Sequence, residues 1–255
     1  MLRRPMRERA GSSPLMKHRV LQPELMDDPA LPAAEHRAAL RGLARINVLS
    51  FTARALWTRM KHVALASPAP VRVLDIAAGS GDVILAITAM ARTEGIPIDA
   101  HVLDISQEAL DVAGAAARIR GLSLTTHRAN IVAGDYFIAV GVGVGQRFDI
   151  VLCSLFLHHL KHEEIVLVLQ RARELTLQQL LVSDLRRCSM GLAAAHVAGR
   201  LLTRSPVVRT DSVRSVRAAL TPKELGSAAQ QARLNGHTIT DCWPFRMVME
   251  WRPTS

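Results

Sequence analysis

The sequence predicts an α/β fold built on a mostly parallel sheet, and three observations point there. Apolar runs at 71–76, 100–105, 122–127, 148–154 and 180–184 alternate with helical patterns at 83–92, 107–120 and 163–175. Strand–helix alternation of this kind implies parallel strands joined by crossover helices. The runs are nearly continuous in apolar residues, as expected for strands covered on both faces. Two further runs, 237–242 and 246–251, are separated only by a short segment containing Trp243-Pro244. So short a connection permits only antiparallel pairing, which closes a seven-stranded sheet with a hairpin.

The remaining elements frame that sheet. Residues 1–20 mix Arg, Pro, Gly and Ser without periodicity and read as a flexible tail, which the domain reading extends as a basic tail to residue 32. A start at Met16 or Met26 and an organelle transit peptide are alternatives for this stretch. From 33 to 62, Leu40, Leu43 and Ile46, then Leu56, Met60 and Val63, recur at helical spacing. Two helices broken near Ser50 are expected, forming an N-terminal lid over 33–66. Residues 67–255 form the main domain. After Asp184 the alternation stops, and helical patterns at 191–202 and 213–220, joined by Ser205-Pro206, read as an insertion over about 188–220. Pro222 then opens a helix to about 235, with Thr221 as N-cap and Glu224 at capping-box spacing.

Charge and composition exclude some classes. No apolar run is long enough to span a bilayer. Cys153, Cys188 and Cys242 are far apart and odd in number, which argues against a disulfide framework or a Cys-built zinc site and favours a reducing cytoplasm. The net charge of +10 is uneven: Lys+Arg outnumber Asp+Glu by 12 to 5 over residues 1–62 and by 13 to 6 over 171–255, whereas acids lead by 11 to 7 between them. An anionic acceptor, an anionic membrane surface or nucleic acid would each suit such ends. Only four of the 32 basic residues are Lys, so an Arg-biased genome accounts for the charge without any partner. With aromatics at 4%, no basic stripe interleaved with stacking residues appears, and nucleic acid is disfavoured as a partner. Peripheral contact with a membrane stays open.

The chemistry begins at Asp75-Ile76-Ala77-Ala78-Gly79-Ser80-Gly81, which ends the first strand and opens a helix. Small residues there let a backbone approach a ligand closely. A dinucleotide loop would carry a third Gly where Ile84 stands, and Asp75 inside the strand suits a cationic amino-acid moiety better than a pyrophosphate. Asp104 ends the second strand at the spacing of an acid that accepts both ribose hydroxyls of a nucleoside. Its rival role as N-cap falls to Ser106. Asn130 follows the third strand, where an amide oxygen can accept from an adenine amino group, although a loop Asn is also an ordinary turn residue. The run at 141–145 lacks the Lys-Ser/Thr ending of a phosphate loop and reads as a plain connection.

His158 and Asp184 follow the ends of neighbouring strands, the side of an open parallel sheet where ligands sit. A His held by a carboxylate is a recognisable general base. Against this, Asp184 could pair with Arg186 or Arg187 and order only the loop. His159 is read as a packed residue at a helix start. His158 and His162 stand at metal-ligand spacing on a helix but lack a nearby acid in sequence, so no metal is expected.

With these motifs in order, residues 33–253 resemble the class I S-adenosylmethionine-dependent methyltransferases, in the broad group that includes the ubiquinone/menaquinone C-methyltransferases. The loop departs from that family's pattern at Ala77, where a first Gly is usual, and Asn130 stands where Asp is frequent. The segment from Phe148 to Leu160 is similar to the fourth-strand region of small-molecule members. Ala44-Arg45-Ile46-Asn47, Ser183-Asp184-Leu185-Arg186-Arg187 and Trp243-Pro244-Phe245-Arg246 resemble a bacterial subgroup associated with polyketide or phenolic-lipid biosynthesis. The resemblance implies a Rossmann-like seven-stranded fold and S-adenosyl-L-methionine as cofactor. Its cofactor contacts would be Asp75, Ala77, Gly79, Gly81, Asp104, Ile105, Asn130, Ile131, Ser154 and Leu155, with His158 and Asp184 catalytic. It further implies a phenolic, quinol or polyketide-type hydroxyl or carbon as acceptor. An RNA methyltransferase and a non-catalytic cofactor-binding protein are the rival readings.

Overall fold

Seven strands form a single sheet in the order β3-β2-β1-β4-β5-β7-β6 in the computed structural model, which describes residues 16–27, 31–32, 35, 51–67, 70–133, 147–203 and 205–253. The strands are β1 (Val71–Ile76), β2 (Ile98–Asp104), β3 (Thr125–Arg128), β4 (Phe148–Ser154), β5 (Thr176–Leu185), β6 (Thr238–Cys242) and β7 (Arg246–Trp251). β1 pairs in parallel with both β2 and β4, and β5 with β4; only β7 runs antiparallel, to β5 and to β6. The expected topology is therefore the observed one. β3 starts later and β5 earlier than the apolar runs indicated, because pairing with β2 and β4 sets their limits.

Both faces of the sheet are covered. On one lie α1 (Thr52–Ala66), α2 (Asp82–Thr93) and α3 (Gln107–Ile119), packing Leu56, Met60, Ile84, Ile87 and Leu110 against Val73, Val102 and Ile150. On the other lie α4 (His162–Leu175) and α7 (Pro222–Gln231), packing Ile165, Leu169, Leu225 and Ala229 against Leu74, Val151 and Val182. Each fully buried aliphatic of this kind contributes about 1.5–3 kcal/mol. Helix starts follow local chemistry. Ser106 caps α3 by accepting from the Ala109 amide, and Thr221 with Glu224 forms the expected capping box of α7.

β1 is the switch point of the sheet, since its neighbours β2 and β4 lead the chain in opposite directions. Ligands of open α/β sheets sit at such a point, outside the strands' carboxyl ends. Above it stands the insertion, α5 (Ser189–Leu202) and α6 (Pro206–Ala218). Pro206 opens α6, capped by Ser205, so this helix begins seven residues before its expected start at 213.

The N-terminal reading needs correction. Residues 16–27, expected within a flexible tail, lie packed against the insertion. Asp211 on α6 accepts from the Leu25 and Met26 amides at 2.8 and 3.0 Å, and Arg19 donates to the Leu157 and His158 carbonyls at 2.9 Å each. Composition made this stretch look like a tail; the hydrogen bonds that hold it come from residues more than 130 positions away. Residues 1–15, the first expected N-terminal helix and the glycine run at 141–145 lie outside the described residues.

Candidate active site

A cavity of about 1230 Å³ opens over the carboxyl ends of β1, β2 and β4. Eight of the ten expected cofactor residues line it: Ala77, Gly79, Asp104, Ile105, Asn130, Ile131, Ser154 and Leu155. Asp75 and Gly81 are not on its wall; they build the loop from behind.

The loop after β1 shows why its residues are small. Ala77, Gly79 and Gly81 have φ of +54°, +54° and +70°, a left-handed conformation that Gly adopts freely. A Cβ on Gly81 would also lie 3.1 Å from the Ala113 Cβ, so α3 packs close to this turn. Gly79 faces open space instead, which leaves room for a ligand against the backbone. Ala77 keeps the conformation that a Gly would take here, and a Cβ in the left-handed region costs about 1–2 kcal/mol. Ala77→Gly is therefore expected to stabilise the protein by about 1 kcal/mol in urea unfolding, an increase in midpoint at constant m-value; a loss of stability would show the strain to be relieved elsewhere.

Asp104 holds this loop in place. Its Oδ2 accepts from the Gly79 amide at 2.7 Å and its Oδ1 from the Ser106 amide at 2.9 Å. Each carboxylate oxygen retains a lone pair for a hydroxyl on the cavity side. Ile105, 61% exposed on the cavity wall, offers a flat apolar surface beside it. Asn130 Oδ1 accepts from the Val132 amide at 2.9 Å, the turn role foreseen for it, and likewise has a second lone pair.

Asp75 is buried and neither carboxylate oxygen has a hydrogen-bond partner among the described residues. Burial first, and the charge of Asp104 second, push its pKa up to about 7. An orphaned buried acid under a Gly-rich loop fits a ligand bearing a cationic group, as an amino-acid moiety does.

At the other end of the cavity, β4 leads through Leu155, at φ +55°, into a single 3-10 turn, Leu157–His159. His158 is buried there, with Nδ1 2.7 Å from Asp184 Oδ1. A carboxylate only accepts, so Nδ1 carries the proton and Nε2 presents its lone pair. Asp184 also accepts from the His158 and Leu185 amides at 3.2 and 2.7 Å. Burial opposes charge on both partners. For His158 the charge and hydrogen bond of Asp184, with Glu24, outweigh it and raise the pKa above 6.5; for Asp184 the charge and hydrogen bond of His158 outweigh it and lower the pKa.

The alternative partners of Asp184 are engaged elsewhere. Arg186 pairs with Asp241, and Arg187 pairs with Glu224 at 2.6 Å while donating to the Ala219 carbonyl. His159 departs from its expected role as a packed residue. It lies exposed on the cavity wall, with its ring centroid 4.2 Å from that of His158. His162 turns to Gln231 and does not converge with His158.

Glu24 was missed by the sequence reading. Its Oε1 lies 3.7 Å from His158 Nε2, and it also accepts from the Ser215 hydroxyl. Glu24, His158 and His159 bring one ligand-type atom each within 4.8 Å of one another, the only such group among the described residues. No local signal could have found Glu24, since its partners lie in the 3-10 turn and α6.

Residues 73–178 match the profile of a methyltransferase domain family. That stretch, less than half of the chain, is similar to methyltransferase domains. Solved structures of this fold hold S-adenosylmethionine or S-adenosylhomocysteine, and the orphaned Asp75, the open face of Gly79 and the remaining lone pairs of Asp104 suit the ammonium group and ribose of such a molecule. Solved structures of the same fold include an assigned O-methyltransferase from Nostoc punctiforme, 19% identical with a TM-score of 0.60 over 94% of this chain and 66% of that one. The plantazolicin methyltransferase BpumL, solved with S-adenosylhomocysteine and a desmethylplantazolicin analogue, is 13% identical with a TM-score of 0.64 over 88% and 92%. Magnesium protoporphyrin IX methyltransferase from Synechocystis, with S-adenosylhomocysteine bound, is 14% identical with a TM-score of 0.53 over 89% and 90%. The chain spans about two thirds of the first of these chains and nine tenths of the other two. No curated protein is a significant match to the sequence. Among the described residues, no helix is long and apolar enough to cross a membrane.

Proposed function

We propose that this chain is an S-adenosylmethionine-dependent methyltransferase acting on a small-molecule acceptor with a phenolic, quinol or polyketide-type hydroxyl, His158 taking the hydroxyl proton while Asp184 holds the imidazole. The observation that carries this reading is the 2.7 Å His158–Asp184 pair on the wall of the cavity that Gly79 and Asp104 also line. When bound, S-adenosylmethionine supplies a methyl group on a positively charged sulfur. Gly79 and Asp104 would hold the nucleoside, and Ser154 and Leu155 would pass beside its methionine part. The acceptor oxygen would take that methyl group, leaving the sulfur neutral, as its own proton passes to His158 Nε2. Asp184 stabilises the imidazolium that results. A carbon nucleophile activated by such a hydroxyl is the alternative acceptor.

The acceptor end of the cavity suits a small apolar molecule. Gly191, Ala194, Ala195 and Ala198 of α5 line it with Pro244 and Phe245, and Glu24 and Met26 of the N-terminal segment lie over it. These walls cover part of the site, and shielding from water favours holding reactants in line. The volume exceeds the 300–1000 Å³ of most single-ligand pockets, leaving space for cofactor and acceptor together. Mass spectrometry of methyl transfer to phenols, quinols and RNA tests the reading. Methylated phenol or quinol with unmodified RNA is expected; methylated RNA alone would replace it, and methylation of nothing would favour a non-catalytic binder.

A further inference from the structure

Arg246 opens β7, and its place in the site has no role in the chemistry above. It is only 5% exposed, it lines the cavity, and its Nη1 is fully enclosed without a hydrogen-bond partner among the described residues. Among the described residues, no carboxylate lies within salt-bridge distance. The nearest influence is the charge of Asp184, whose oxygens already serve three donors. Burial holds the guanidinium below its ordinary range, at about 10, so it stays charged at neutral pH. A buried charge without a counter-ion is costly, and a packed apolar residue would serve the fold better unless the charge is used.

Its position says which ligand would use it. Arg246 pairs in register with Leu185, directly after Asp184 on β5. The strand order β1-β4-β5-β7 sets it three strands from the Gly79 loop, about 14 Å across the sheet at 4.7–4.9 Å per strand. It therefore faces the acceptor half rather than the cofactor half. Pro244 and Phe245, just before it in the chain, add apolar surface to the same wall, and the first turn of α5 packs on Phe245: a Cβ at Gly191 would lie 3.3 Å from the Phe245 Cβ. The positive end of that helix adds to the preference for an anion.

We propose that Arg246 binds a carboxylate on the acceptor, so that the substrates are aromatic or polyketide-type hydroxy acids anchored by Arg246 and presented by their hydroxyl to His158. This rests on the small-molecule reading above, and binding tests it apart from turnover. Calorimetry of the full chain saturated with S-adenosylhomocysteine would compare 2-, 3- and 4-hydroxybenzoate with the matching hydroxybenzamides. At least one carboxylate is expected to bind ten-fold or more tightly than its neutral amide, the scale of a hydrogen bond to a charged group. Arg246→Met should abolish that preference, Arg246→Lys should keep part of it, and both should bind S-adenosylhomocysteine as the wild type does. Arg246→Met should also melt at a higher temperature, because a buried unpaired charge is gone. Equal binding of acid and amide in the wild type, or an unchanged preference in a folded Arg246→Met, overturns the proposal. So does a selective loss of S-adenosylhomocysteine binding in Arg246→Met or Arg246→Lys, which would assign the guanidinium to the cofactor's carboxylate. Failure of the wild type to bind S-adenosylhomocysteine would count against the cofactor reading instead.

Discussion

Replacing His158 with alanine is expected to lower turnover on a hydroxyl acceptor by about 100- to 10,000-fold, the usual worth of positioned acid–base catalysis. The imidazole of His158, a cavity-lining residue, is fixed through Nδ1 by Asp184 at 2.7 Å, which leaves Nε2 as the nitrogen that can accept a proton. Cofactor affinity should change little, because the candidate nucleoside-binding residues sit over β1 and β2, and calorimetry with S-adenosylhomocysteine would show it. Near-wild-type turnover in a folded His158→Ala, on an acceptor below its own pKa, would remove the base. His159→Ala should alter acceptor affinity more than stability, since the side chain stands partly exposed on the cavity wall. Turnover should survive a chelator; its loss would move the chemistry to a cation among Glu24, His158 and His159.

The second large effect is expected at Asp104. Asp104→Ala removes the acceptor for the Gly79 amide and the candidate ribose contact together. Affinity for S-adenosylmethionine should fall by about 1.5–3 kcal/mol, the range for a hydrogen bond to a charged group. Asp75→Asn should weaken binding without unfolding the protein, since its carboxylate holds no partner whose loss would cost stability. Unchanged affinity in both variants would show the loop to be organised for something other than this cofactor.

Much of this was legible in the sequence because it follows from local rules. The alternation of apolar runs and helical patterns gave the seven strands and their directions. The spacing from the β1 loop to Asp104 survived because both are fixed by the parallel pairing of β1 and β2. Ser106, Thr221 and Glu224 declared their caps by type and spacing alone. Ala77 was legible as a departure, but not its cost: only the backbone shows that the position lies at positive φ.

What remained hidden depends on contacts between distant segments. Asp184 had three possible partners within the sequence's reach, and the choice was made by Asp241 and Glu224 drawing Arg186 and Arg187 away. Glu24 lies in a stretch whose composition reads as a tail, yet Asp211 and Ser215 of α6 bind that stretch and bring the acid to His158. Arg246 was noticed as part of a resemblance, but its burial without a counter-ion among the described residues is a property of the assembled hairpin and insertion.

The pH dependence of kcat in the wild type and in Asp184→Asn tests the central claim most directly. Burial lowers the basicity of His158, but the Asp184 charge and hydrogen bond, with Glu24, outweigh it and raise its pKa above 6.5. Only the neutral imidazole accepts the acceptor's proton, so kcat should rise with pH along a limb whose midpoint lies above 6.5. Asparagine at 184 removes the charge that holds the proton on His158, so the limb should move to lower pH and the plateau should fall. A profile without an acid limb on a hydroxyl acceptor, or a limb that Asp184→Asn leaves in place, would contradict His158 as the base held by Asp184.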